Sequence, residues 1–121
     1  MDKREKGKRG EALASEYLLK NGYDILGANY RKREGEIDLI ARDKKSDEIV
    51  FVEVKSRKSI SCGYPEEAVD YIKMKKIIST AERWLEEKEM IDKPWRIDVI
   101  AIETAYTPPK IAHINNVTQD L

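Results

Sequence analysis

The chain has 121 residues, enough for one domain with a modest core, and its 23 basic and 23 acidic residues cancel to no net charge. A lone cysteine, Cys62, excludes an intrachain disulfide and suits a reducing compartment, and no apolar run reaches the length of a membrane span. Residues 1–6 are not followed by the apolar stretch of a signal peptide, so the expected location is the cytoplasm.

In chain order, a first helix is expected over 3–21, with Asp2 and Glu5 at capping-box spacing and Gly22 as its stop. Leu13, Ala14, Tyr17 and Leu18 form its apolar stripe, and Glu11 falls on the edge of that stripe beside Leu18. Strands follow at 23–30 and 35–42. In the second, Glu36, Asp38 and Ile40 share one face, while Ile37 and Leu39 share the other. A hairpin loop at 43–47 leads to a third strand at 49–57. There Val50, Val52 and Val54 face one way and Phe51, Glu53 and Lys55 the other; apolar residues on both faces predict a central strand. A loop at 59–67 precedes a helix from the N-cap Asp70 to residue 89, burying Met74, Ile77, Ile78, Ala81, Trp84 and Leu85. Pro94 introduces a fourth strand at 95–102. The Pro108-Pro109 break separates it from a short edge strand at 111–117.

The chemistry concentrates on Glu11, Asp38, Glu53 and Lys55. Glu53 and Lys55, two apart on a strand, leave the same face with Cα atoms about 6.5–7 Å apart. A carboxylate there would ligate a cation while the amine reaches a water or phosphate just beyond it. Asp38 on the adjacent strand adds a second ligand and the backbone carbonyl of Val54 a third. Glu11 would hold a second metal or orient the nucleophile, and Glu36 is a reserve ligand. Few carboxylates with retained waters suit Mg²⁺, for which Mn²⁺ commonly substitutes. A Glu-x-Lys is more often a surface ion pair. Here, however, the strand reads as buried, where unpartnered acids are costly. His113 has no matching ligands and reads as structural, while Arg96 and Asp98, on one strand face, form either a structural ion pair or a second basic contact. Cys62 has no paired histidine, and Tyr64 reads as a packed aromatic before a base-stacking one.

The segments Gly10-Glu11, Gly35-Glu36-Ile37-Asp38-Leu39-Ile40-Ala41 and Phe51-Val52-Glu53-Val54-Lys55-Ser56-Arg57 resemble the YraN family of uncharacterised bacterial proteins. So do Pro65-Glu66-Glu67-Ala68-Val69, Lys73 with Lys76-Ile77, and Arg96-Ile97-Asp98-Val99-Ile100, and the likeness covers about residues 5–103. That family is grouped with the restriction-endonuclease-like, or PD-(D/E)xK, superfamily and is similar to archaeal Holliday-junction resolvases. The resemblance implies an α/β fold, a mixed central β-sheet of four to five strands flanked by helices, within a single domain over 1–121. By position, Asp38, Glu53 and Lys55 would be the superfamily motif and Glu11 its acid on the first helix. Ile37 stands where the motif's name has proline.

The combined reading is a Mg²⁺-dependent endonuclease acting on DNA, on branched or repair-intermediate structures. Arg9, Arg31, Arg33, Arg57, Lys73 and Lys76 are the expected nucleic-acid contacts, and a homodimer is expected if four-way junctions are cut symmetrically. The alternatives are a non-catalytic nucleic-acid- or protein-binding module on the same fold and an RNA-processing nuclease. Neutral net charge favours the former, since few uncompensated cations give modest affinity for phosphate backbones.

Overall fold

A computed structural model describes residues 3–57 and 70–118, with side chains from residue 7 onward. The Asp2–Glu5 capping box and the expected loop at 59–67, with Cys62 and Tyr64, lie outside these described residues. The elements are α1 (Lys3–Lys20), β1 (Tyr23–Lys32), β2 (Gly35–Asp43), β3 (Glu48–Arg57), α2 (Tyr71–Glu87), β4 (Trp95–Glu103) and β5 (Lys110–Ile114). They form one five-stranded sheet in the order β1-β2-β3-β4-β5. The β3–β4 pair is parallel and the other three pairs are antiparallel, so the sheet is mixed. Between β3 and β4 runs α2, the long crossover that a parallel pair needs. No helix of the described residues is long and apolar enough to cross a membrane.

The two helices cover opposite faces. Ala14 and Leu18 of α1 pack with Leu39, Val50, Val52, Ile100 and Ile102. Met74, Ile77, Ala81, Trp84 and Leu85 of α2 pack with Ile40, Ile49, Phe51 and Ile97. The central position of β3 follows from its two apolar faces, as its sequence predicts. Asp70 caps α2, its side chain accepting the Lys73 N–H at 2.8 Å. Thr80 joins the buried stripe of α2, whereas Ile78 is only partly buried.

Strict alternation fails in β2. Ile37 packs with Ile40 on the α2 side, while Leu39 packs on the α1 side, so Ile37 and Leu39 do not share a face. The cause lies next door. The β1–β2 register runs from Ala28↔Leu39 to Tyr30↔Ile37 and passes over Asn29 and Asp38, and Asn29 has φ 51°. A left-handed residue interrupts the pleat, and the facing strand changes side at Asp38. The segment at 111–117 is a strand only as far as Ile114, and Val117 leaves the ladder to donate its N–H to Ile97 O.

Candidate active site between two splayed strands

β2 and β3 pair from Asp43↔Glu48 to Leu39↔Val52, and there their ladder stops. Each strand continues with its outer neighbour, β2 with β1 as far as Lys32↔Gly35 and β3 with β4 as far as Arg57↔Glu103. The sheet is therefore split beyond Leu39 and Val52. In the gap a side chain replaces the ladder: the Val54 N–H donates to Asp38 Oδ2 at 2.8 Å. Sequence alone assigned the Val54 carbonyl to a cation; the contact the structure adds is its amide.

Glu53 lies beside Asp38 and is 8% exposed. Burial and the neighbouring Glu53 charge push the Asp38 carboxyl up to about 7, against the pull of the Val54 N–H, with Glu11 and Glu36 adding smaller upward pushes. Lys73, from the first turn of α2, places Nζ 2.6 Å from Glu53 Oε1. Lys55, half-buried two residues beyond Glu53, makes no ion pair among the described residues. Glu11 is half-buried on α1, within electrostatic reach of Asp38. Its helix approaches β3 at Gly10, where any Cβ would overlap Ser56 Oγ, so the glycine serves helix packing.

Glu36 pairs with Arg31 at 3.2 Å on the surface, and its side chain is 58% exposed. Arg9 and Arg33 are exposed and Arg57 is half-buried. Lys73 and Lys76 line a cleft of about 460 Å³ with Gly35, Glu36, Glu53 and Ile72. Gly35 belongs here for a steric reason: a Cβ would come within 3.1 Å of Thr80 Oγ1 and 3.3 Å of Lys76 Cβ, holding α2 away from the gap.

Among the described residues no three His, Cys, Asp or Glu side chains are gathered into a cage for a metal ion. The donor chemistry still fits Mg²⁺, which takes one or two carboxylates and keeps its waters. Asp38 and Glu53 are hard oxygen donors, and the same repulsion that raises the Asp38 proton affinity favours a cation between them. They are the residues that would hold it.

A second polar cluster lies under α1. Arg96 reaches Asp98 through Nε at 3.0 Å, Glu48 at 2.8 Å, Asp43 at 3.1 Å and the Tyr23 hydroxyl at 2.9 Å. Asp98, wholly buried, also accepts the Asn116 N–H at 2.8 Å and stands 2.7 Å from His113 Nε2. An ionised carboxylate only accepts, so Nε2 carries the proton, and in the neutral ring Nδ1 accepts the Tyr17 O–H at 3.1 Å. Burial alone would raise the Asp98 carboxyl, but its bonds from His113, Arg96 and the Asn116 N–H outweigh this and hold it low. The Arg96–Asp98 ion pair is present, and His113 joins it in one buried network. Only one link of the network was readable in sequence, since Tyr17, Tyr23 and His113 meet through tertiary packing. The same holds for Lys73 on Glu53: the sequence marked Lys73 as a basic contact and gave no sign of its acidic partner.

A model of the uncharacterised protein family UPF0102 matches residues 10–102. A UPF0102 protein of Clostridioides difficile is 47% identical over 96% of this chain and 98% of its own length. One from Persephonella marina is 47% identical over 92% of this chain and 90% of its own, and one from Geotalea uraniireducens 42% over 95% and 90%. These matches take in Glu11, Asp38, Glu53, Lys55 and the Arg96–Asp98 pair, and the chain belongs to UPF0102, the YraN family.

Proposed function

We propose that the protein is a Mg²⁺-dependent endonuclease that hydrolyses phosphodiester bonds in DNA, with branched and repair-intermediate structures as its substrates. The observation that carries this reading is the split between β2 and β3, where the half-buried Asp38 lies beside the buried Glu53, itself paired with Lys73. Such an under-neutralised pair is unfavourable in a core unless it has work to do with a cation. Asp38 and Glu53 would hold Mg²⁺, with the Val54 carbonyl and Glu11 next to them. Bound there, the ion would supply Lewis-acid polarisation of a phosphate oxygen and a more acidic water. Lys55 would orient the attacking water or the phosphate oxygen in line with the leaving group. Lys76 and the arginines Arg9, Arg31, Arg33 and Arg57 would hold the flanking backbone. Paired cuts at a four-way junction would need two copies of the chain.

A second reading has its own support. The Lys73–Glu53 ion pair satisfies Glu53 without any metal, and the chain carries no net charge, which suits a non-catalytic binding module. Cleavage decides between them. Single-stranded, duplex, flap and four-way-junction DNA, and RNA, are incubated at low salt with Mg²⁺ or Mn²⁺, with Glu53→Ala as control. Cutting that requires both metal and Glu53 is the expected result and identifies the substrate class. No cutting of any substrate, or equal cutting by Glu53→Ala, overturns the active-site assignment.

A further inference from the structure

The acidic gap already contains a cation, and it is part of the protein. Lys73 Nζ lies 2.6 Å from Glu53 Oε1, with the lysine side chain 38% exposed and the glutamate side chain 9%. The base of that lysine is fixed, because its own N–H is held by the Asp70 cap at 2.8 Å. Its ammonium lies at Glu53, and both residues line the open cleft. Lys76 lines the same cleft, and three residues apart on a helix the two lysines are neighbours. Among the described residues that ammonium pairs with Glu53, whereas Asp38 receives the Val54 N–H instead.

A divalent ion taken up by Asp38 and Glu53 would stand within an ion pair's length of this ammonium. Like charges that close, in a half-buried cleft, repel strongly. The carboxylate oxygen that Lys73 holds is also one that a metal would use. We propose that Lys73 is a tethered counter-ion that a divalent cation displaces, so that metal arrival releases its ammonium to a phosphate in the cleft. The inference rests on the metal-binding reading of Asp38 and Glu53 above. It adds a coupling to that reading: metal and phosphate backbone would bind cooperatively through one side chain, and linkage makes the effect reciprocal.

The test separates the two layers. Mn²⁺ is titrated into the full chain without nucleic acid, with free ion read by electron paramagnetic resonance and folding checked by circular dichroism. Lys73→Met removes the competitor and should bind Mn²⁺ about tenfold more tightly, the scale of one charge-assisted hydrogen bond. Lys73→Arg keeps the charge and should bind like the unmodified chain, and Glu53→Gln should lose binding. Lys73→Gln serves as the second neutral variant if Met disturbs α2. Binding no tighter in the neutral variants, with Glu53→Gln still deficient, overturns the counter-ion role and leaves the metal site standing. Mn²⁺ binding that is absent throughout, or indifferent to Glu53→Gln, overturns both. In a second arm, Ca²⁺ should strengthen anisotropy-detected binding of a short DNA duplex to the unmodified chain but not to Lys73→Met. Equal strengthening in both, or none in the unmodified chain, overturns the release of Lys73 to phosphate.

Discussion

Asp38 and Asp98 are both aspartates on strands of one sheet, and their surroundings are opposite. Asp98 has Arg96, His113 and a backbone amide, and its carboxyl is held low despite complete burial. Asp38 has one backbone amide and a second carboxylate, and its carboxyl is raised to about 7. The first is a satisfied network that ties β4, β5 and α1 together. The second is an acidic site left short of positive charge where two strands part. A buried acid with every partner in place is evidence of structure, whereas a half-buried one short of partners is a candidate for function.

The largest effect is expected on catalysis. Glu53→Gln should lower metal-dependent phosphodiester hydrolysis by about 10³-fold, the several kcal/mol that a bound metal contributes to such a transition state. The variant should melt close to the parent if hydrolysis is followed alongside thermal denaturation, since the repulsion from Asp38 and the ion pair with Lys73 are lost together. Asp98→Ala should do the reverse. It strips Arg96 and His113 of their buried partner and should cost about 3 kcal/mol in urea denaturation, while leaving Mn²⁺ affinity unchanged.

The two aspartates should also differ in the sign of their pH dependence. Below the ordinary carboxyl value of 3.8, Asp38 is protonated in folded and unfolded chains alike. As the pH rises toward about 7, the unfolded chain releases that proton and the folded chain keeps it, so stability falls through this window. Asp98, held low, instead contributes stability above 3.8 that is lost as the pH falls through its folded value. In the metal-free chain, Asp38→Asn should remove the neutral-side decline. Denaturation at about pH 4 and about pH 7 should show it near the parent in the first case and more stable by ~1–4 kcal/mol in the second. The smallest effect belongs to Glu36, paired with Arg31 at the surface. Glu36→Gln should shift stability by less than about 1 kcal/mol and leave hydrolysis within about threefold of the parent. A large loss there would return Glu36 to the ligand set.

Much of the fold was legible because it rests on local patterns. Val50, Val52 and Val54 against Phe51 and Glu53 announce a strand covered on both sides, and the stripe from Met74 to Leu85 announces a helix that covers one of them. Ile37 was misread because alternation assumes an unbroken pleat, and the break comes from Asn29 on the neighbouring strand. Within the site, the approach of Asp38 to Glu53 was readable from strand period and spacing. The Lys73–Glu53 contact was not. The two residues belong to separate elements, and what brings them together is the packing of α2 over the sheet.

The order of elements, the central place of β3 and the family follow from the chain alone, because periodicity and motif spacing are local properties. Packing settles where the sheet splits, which acid receives the Lys73 ammonium, and which aspartate is satisfied. Those depend on distances between residues remote in sequence, and Coulomb energy and desolvation are set by such distances and by burial.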